Sequence, residues 1–301
     1  DGSGGYALDG LGAVWRVDAR EGTKSPLRQE TFKLLTAGFA QSADATLVAQ
    51  LGHADQRVRQ GAQLELAKRG RKEALLAVAL DARAALLARV HAIWGYGQLL
   101  RRNAAESAAI RPLLKDPSDE VRRQIVKIFG DASGAAAKDE GAGLAALLGD
   151  SSPRVRLQVG IALGKFHVPA ATDALFALAA KEGEQPIMRH AAVSGLVTSA
   201  TPEQIAAKKS DPSLQVRLAS VVALRRLASP TIAAFLADVD PVVIEEAARG
   251  IHDDLSIPGA LPALAEVLDR NPASEIVARR AINANLRLGT PAAAARLLAL
   301  A

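Results

Sequence analysis

Aspartate and arginine recur together in this chain at a fixed offset, and that pairing is the first candidate for chemistry. The stretches Asp116-Pro117-Ser118-Asp119-Glu120-Val121-Arg122, Asp150-Ser151-Ser152-Pro153-Arg154-Val155-Arg156 and Asp211-Pro212-Ser213-Leu214-Gln215-Val216-Arg217 each place an aspartate six positions before an arginine. A carboxylate and a guanidinium form bidentate, charge-assisted hydrogen bonds, so such a pair either ties the chain to itself or holds an acidic ligand. In the structural reading Arg59, Arg122, Arg156, Arg189 and Arg217 are held by turn aspartates and carbonyls. In the functional reading Arg57, Arg123 and Arg154 supply spare charge to an acidic partner. The constant offset of the aspartates favours the first reading.

Other reactive side chains form weaker patterns. The histidines His53, His91, His167, His190 and His252 are scattered, and no two have the i, i+4 spacing of a helical metal pair. His91 and His190 read as helix-start side chains hydrogen-bonded to a neighbouring unit. Glu245-Glu246, Asp253-Asp254 and Asp238 with Asp240 read as helix-start or turn carboxylates placed favourably against the helix dipole, rather than as acid-base pairs or calcium ligands. Gly2-Ser3-Gly4-Gly5 lacks the downstream Gly-Lys-Ser/Thr of a phosphate loop, and Ser194-Gly195 sits in a helical pattern rather than on a nucleophile elbow. Trp94 and Tyr96 are flanked by Gly95 and Gly97 in a chain with only two Trp and two Tyr. Core packing is expected there, with an exposed aromatic contact as the alternative. No catalytic residue, metal site or cofactor is expected.

Composition indicates what positions these residues. The sequence is 49% hydrophobic but only 3% aromatic, so its apolar content is mostly Ala, Leu and Val, which suits close helix packing. Lys+Arg 37 stands against Asp+Glu 32, a mild basic bias of +5 that permits nucleic-acid binding only if the cations gather on one face. With no cysteine, disulfides, thiolate chemistry and covalent haem attachment are excluded within this sequence. No apolar run reaches membrane-spanning length, so no membrane insertion by this segment is expected.

The Asp-turn-Arg pattern belongs to a repeat. Aliphatic anchors at Leu27, Val58, Val90, Val121, Val155, Met188, Val216, Val243 and Ile276 lie 27 to 34 residues apart, room for two short helices and two turns. The helix before each anchor carries an apolar stripe, as in Ile110, Leu113 and Leu114, in Leu144, Leu147 and Leu148, or in Leu261, Leu264 and Leu268. The helix after it does likewise, as in Val121, Ile125 and Ile128 or in Val155, Val159, Ala162 and Leu163. Ser25-Pro26, Thr201-Pro202, Ser229-Pro230, Asn271-Pro272 and Thr290-Pro291 read as helix starts, and Gly70, Gly130 and Gly289 as helix ends. The expected fold is all-α, a right-handed α-solenoid of about nine short helical hairpins. Residues 1–22 break the pattern as a glycine-rich leader with a strand-like run at Ala13-Val14-Trp15-Arg16-Val17, and residues 23–301 form the solenoid. Both ends are expected to be cut from a longer protein, with Thr290 to Ala301 the first helix of a further unit.

On the residues around Val121-Arg122 and its copies, the chain resembles HEAT repeats, particularly the short bacterial kind. The resemblance implies that the turn aspartate and the arginine of the following helix form a ladder between adjacent units, with Asp116, Arg122, Asp150, Arg156, Asp211 and Arg217 matching both positions. The ladder should weaken towards the C-terminus, where the units at Val243 and Ile276 lack the basic residue. A narrower resemblance rests on His53 to Gln60, Val90 to Leu99 and Met188 to Ala192. These stretches are similar to the HEAT region of extracytoplasmic bacterial membrane-bound dehydrogenase-like proteins, in which a β-propeller precedes the repeats and a cytochrome c module follows. It implies a periplasmic setting and makes residues 1–22 the end of a preceding propeller. The chain itself carries neither the propeller nor a haem motif.

The expected function is a non-catalytic protein-protein interaction scaffold, one module of a larger multidomain protein, docking a protein partner or neighbouring domains. Nucleic-acid binding through a basic concave face is the alternative, together with service as an accessory module of an extracytoplasmic oxidoreductase.

Overall fold

The computed structural model describes residues 21–253 and 257–300. The strand-like run at 13–17 and the glycine-rich segment at 2–5 lie outside the described residues, as does Asp254. Every regular element among the described residues is helical. A short 3-10 turn, Glu21–Lys24, leads into α1 (Pro26–Ala37). Hairpins then follow in order: α2 (Asp44–Gln50) with α3 (Gln56–Lys68), α4 (Lys72–Leu80) with α5 (Leu86–Arg101), α6 (Ser107–Ile110) with α7 (Asp119–Asp131), and α8 (Gly141–Ala145) with α9 (Pro153–Leu163). The stack continues with α10 (Thr172–Glu182) and α11 (Pro186–Ser199), then α12 (Pro202–Ala206) and α13 (Leu214–Arg226). A 3-10 helix, Pro230–Phe235, pairs with α14 (Pro241–Asp253); α15 (Leu261–Ala265) pairs with α16 (Glu275–Leu288), and α17 (Pro291–Leu298) follows.

The core is one continuous apolar seam. Val58, Val121, Val155 and Val243 are fully buried, as are Ile110, Leu144, Ile125 and Val159 from the stripes of the two helix types. At about 25 cal/mol per Å² of buried apolar surface, each aliphatic side chain in this seam contributes roughly 2 kcal/mol, and it does so only when a neighbouring unit covers it. Successive second helices pack along one another, α7 on α9 and α9 on α11, whereas successive first helices touch through fewer residues. The second helices therefore form the inner, more tightly curved face of the stack.

The structure moves several of the expected positions. Leu27 and Ile276 are exposed, and Val277 takes the buried position in α16. Complete hairpins begin at α2, so the described residues hold eight of them, flanked by α1 and α17. Asn271 does not start a helix: it ends one, in the left-handed conformation with φ 49°, and α16 begins at Glu275. Gly130 lies inside α7, where a Cβ would stand 3.0 Å from that of Ala162, so it marks a close helix crossing rather than a helix end. Gly70 and Gly289 do terminate helices, at φ 69° and 59°. Ser25, Thr201, Ser229 and Thr290 cap as their spacing implies, Thr201 with a complete capping box through Gln204.

Candidate functional site

The turn before each second helix is built by its aspartate. Asp116 Oδ1 accepts the Ser118 amide at 2.9 Å, Asp150 the Ser152 amide at 2.8 Å, and Asp211 the Ser213 amide at 3.0 Å. Such side-chain turns let the chain reverse without a second strand or helix to satisfy its amides. The arginine six residues on closes the same turn. Arg122 Nη1 donates to the carbonyls of Asp116 and Pro117 at 2.8 and 3.2 Å, Arg156 Nη1 to Asp150 O at 2.6 Å, and Arg217 Nη1 to Asp211 O at 2.8 Å. Arg59 and Arg189 do likewise towards His53 O and Gly183 O.

The remaining guanidinium nitrogens reach forward to the next unit. Arg122 grips Asp150 with both Nε and Nη2, at 2.7 and 2.9 Å. Arg156 reaches Glu182, Arg189 reaches the amide oxygen of Gln215, and Arg217 reaches Asp238. Among the described residues the Asp211 carboxylate, unlike its carbonyl, takes no arginine: the rung that would use it ends on Gln215. Among the described residues Arg59 has no forward carboxylate, and its Nε is buried without a hydrogen-bond partner. The ladder's last rung is Arg217 with Asp238, both nearly buried.

One rung has a member that the repeat pattern conceals. Arg89 pairs with Asp116 in a buried contact and donates through Nε to Ala79 O at 3.0 Å. It stands before Val90, whereas its counterparts follow their anchors, so Ala88 is the structural equivalent of Val121 and Val155. His91 falls two places later and hydrogen-bonds Gln63 at 2.8 Å through Nδ1, with its ring edge-on to Trp94 at 4.9 Å. Burial, with Arg59 nearby, pushes the His91 imidazole down to about 4. His190 is exposed.

The arginines expected to carry spare charge are engaged with carboxylates. Arg57 forms a bidentate pair with Asp55, whose carboxyl it draws down to about 2. Arg123 and Arg154 both reach Glu120, at 2.6 and 2.9 Å. Tyr96 is buried and donates to Glu106 O, so it offers no contact surface; Trp94 is half-buried and donates to Gln124 at 2.7 Å. The carboxylate clusters are also spoken for. Glu245 accepts from Ser274, Asp238 holds Arg217 and the Asp240 amide, and Arg280 with His252 brings Asp253 down to about 2.

On the inner face the second helices present a different set. A groove of about 190 Å³ between α5 and α7 is lined by Trp94, Gly97, Gln98, Arg101, Lys127 and Asp131. Lys127 and Lys165 share the single carboxylate of Asp131, at 2.5 and 2.8 Å. Burial works to raise the Asp131 carboxyl, but the two ammonium groups outweigh it and hold it below its ordinary range. Of these residues only Trp94 and Gly97 stood out in the sequence; Lys127 and Asp131 share an ordinary i, i+4 spacing on one helix, and Lys165 joins them only across helices.

Residues 107–197 and 141–225 match the family described as HEAT repeats, a span running from α6 through nearly all of α13. No curated protein matches the chain. Among solved structures, the YibA protein of Escherichia coli is 15% identical over 89% of this chain and 97% of its own, with a TM-score of 0.48. The complex of CpcE and CpcF of phycocyanin lyase from Nostoc sp. PCC7120 is 18% identical over 81% and 94%, with a TM-score of 0.27. A designed armadillo repeat protein in complex with the peptide (KR)4 is 21% identical over 81% and 98%, with a TM-score of 0.30. The chain is thus an all-helical solenoid of repeated hairpins, of which residues 107–225 match HEAT repeats.

Proposed function

We propose that this solenoid is a non-catalytic protein-interaction scaffold, with residues 23–301 as one module of a larger protein. The observation that carries the reading is the inner face itself, an uninterrupted surface formed by second helices from α3 to α16. Stacked hairpins provide length and shallow grooves rather than the enclosed, water-excluding pocket that most catalysis needs. The engagement of Arg57, Arg123 and Arg154 by carboxylates weighs against a nucleic-acid face built from them, since phosphates would have to displace Asp55 and Glu120. Neighbouring domains of the parent chain are among the partners this reading includes, and the resemblance to the dehydrogenase-like proteins suggests a propeller and a cytochrome module as those neighbours. No helix among the described residues is long and apolar enough to cross a membrane.

Affinity capture tests the reading. The folded chain and the same chain held unfolded serve as baits, and a defined polypeptide retained stoichiometrically by the folded bait alone is the expected result. Retention of no protein by the folded bait contradicts it.

A further inference from the structure

The ladder consumes the arginines at the turns, but it leaves the far ends of the second helices cationic. Arg101 lines the groove beside Trp94 with no carboxylate partner among the described residues, while Lys127 and Lys165 have only Asp131 between them. Three cations therefore face one carboxylate. Cations at helix C-termini suit the helix dipole, which accounts for their placement there but not for an aromatic wall beside them.

The repeat register extends the pattern along the face. Counting from Val58, Ala88, Val121, Val155, Met188 and Val216, the sixth residue on is Leu64, Trp94, Lys127, Ile161, Ser194 and Val222, and the tenth is Lys68, Gln98, Asp131, Lys165, Thr198 and Arg226. The sixth positions are mostly apolar, and the tenth carry three cations against the one carboxylate of Asp131. Neighbouring helices lie about 8–10 Å apart and an extended chain advances about 3.3 Å per residue, so every third residue of a crossing peptide meets the next helix.

The geometry points to this inner face, from α3 to α9, as a docking track for an extended acidic peptide that sets carboxylates against Arg101, Lys127 and Lys165 and an aliphatic side chain against Trp94. The inference rests on the scaffold reading and names its partner class. A nucleic-acid strand fits less well: its unbroken phosphate charge would press on Asp131, and the track offers one aromatic platform where single strands use several. A peptide can place a neutral residue there.

Fluorescence anisotropy on the full chain at low ionic strength tests this with a labelled peptide repeating Glu-Leu-Ser over about ten residues. The expected result is saturable binding that weakens roughly tenfold when Gln replaces Glu in the peptide, and roughly tenfold with Arg101→Glu. Lys115→Glu makes the same charge change at the end of the 3-10 helix Arg111–Lys115 that follows α6, and should leave affinity unchanged. Arg101 is exposed and has no carboxylate partner among the described residues, so its reversal forfeits only a helix-dipole interaction and should leave the chain folded by circular dichroism; Lys127→Gln is the second variant. Equal affinity for the Glu and Gln peptides, equal effects of Lys115→Glu and Arg101→Glu, or tighter binding of a single-stranded oligonucleotide of matching charge would each overturn the inference. If the peptide fails while wild-type and Arg101→Glu baits capture the same polypeptide, the track is wrong and the scaffold stands. Capture of nothing by wild type removes both.

Discussion

His91 is the side chain whose environment contrasts most with its chemistry. It sits buried and neutral between Gln63 and Trp94, with its proton affinity lowered to about 4. The unfolded chain binds a proton at about 6.5, so between these values the unfolded state holds more protons and stability falls as pH falls. About 2 kcal/mol should be lost between roughly pH 7 and pH 5, and a His91→Gln variant should lose much less over the same range. Urea melts followed by far-UV circular dichroism measure this; equal pH dependence in both chains would refute it. The ladder makes a second prediction at the same scale. Arg122 and Asp150 are nearly buried, so Asp150→Asn leaves a guanidinium without its counter-charge and should cost about 3 kcal/mol. Arg57→Ala breaks an exposed pair and should cost under about 1 kcal/mol in a parallel denaturant melt. The turn half of the ladder was legible in the sequence, because Asp, Ser and Arg keep one offset. The cross-unit half was legible only in part: Arg89 is displaced relative to its anchor, the rung from Arg156 ends on Glu182, and the rung from Arg189 bypasses Asp211 for Gln215.

At the scale of the element, helix boundaries follow local chemistry wherever the capping group is a hydroxyl before proline. Asn271-Pro272 misleads because asparagine also tolerates the left-handed conformation, and here it closes the preceding helix. Gly130 misleads for another reason: a glycine near a helix end and one at a helix crossing look alike until the neighbour is known. The close approaches themselves are testable. A Cβ at Gly160 would lie 2.7 Å from the carbonyl oxygen of Ala191, backbone that cannot swing aside. Gly160→Ala should force α9 and α11 apart and cost about 1–3 kcal/mol, read as a lower melting temperature and faster amide exchange in both helices. Unchanged exchange would show that the two helices do not cross so tightly. Gly95→Ala meets the methyl ends of Leu75 instead, the nearest at 2.9 Å, and should cost less.

At the scale of the whole molecule, the period of about thirty residues was enough to give the class of fold, since no single hairpin can cover its own apolar stripe. It could not give the direction of bending or the groove at Trp94, Arg101 and Lys127. Both arise from how tightly successive second helices pack, which is set by residues one repeat apart rather than by any local motif. The central claim is that the apolar seam is buried by sideways stacking of paired helices. Small-angle X-ray scattering of the chain in solution tests it most directly. Eight hairpins spaced by about 10 Å make an elongated particle with a radius of gyration of roughly 25 Å or more, whereas a compact globule of this length has one of about 19 Å. A monomer with the larger radius and an elongated distance distribution is the expected result. A value near the smaller radius with a symmetric distribution would contradict the stacked arrangement.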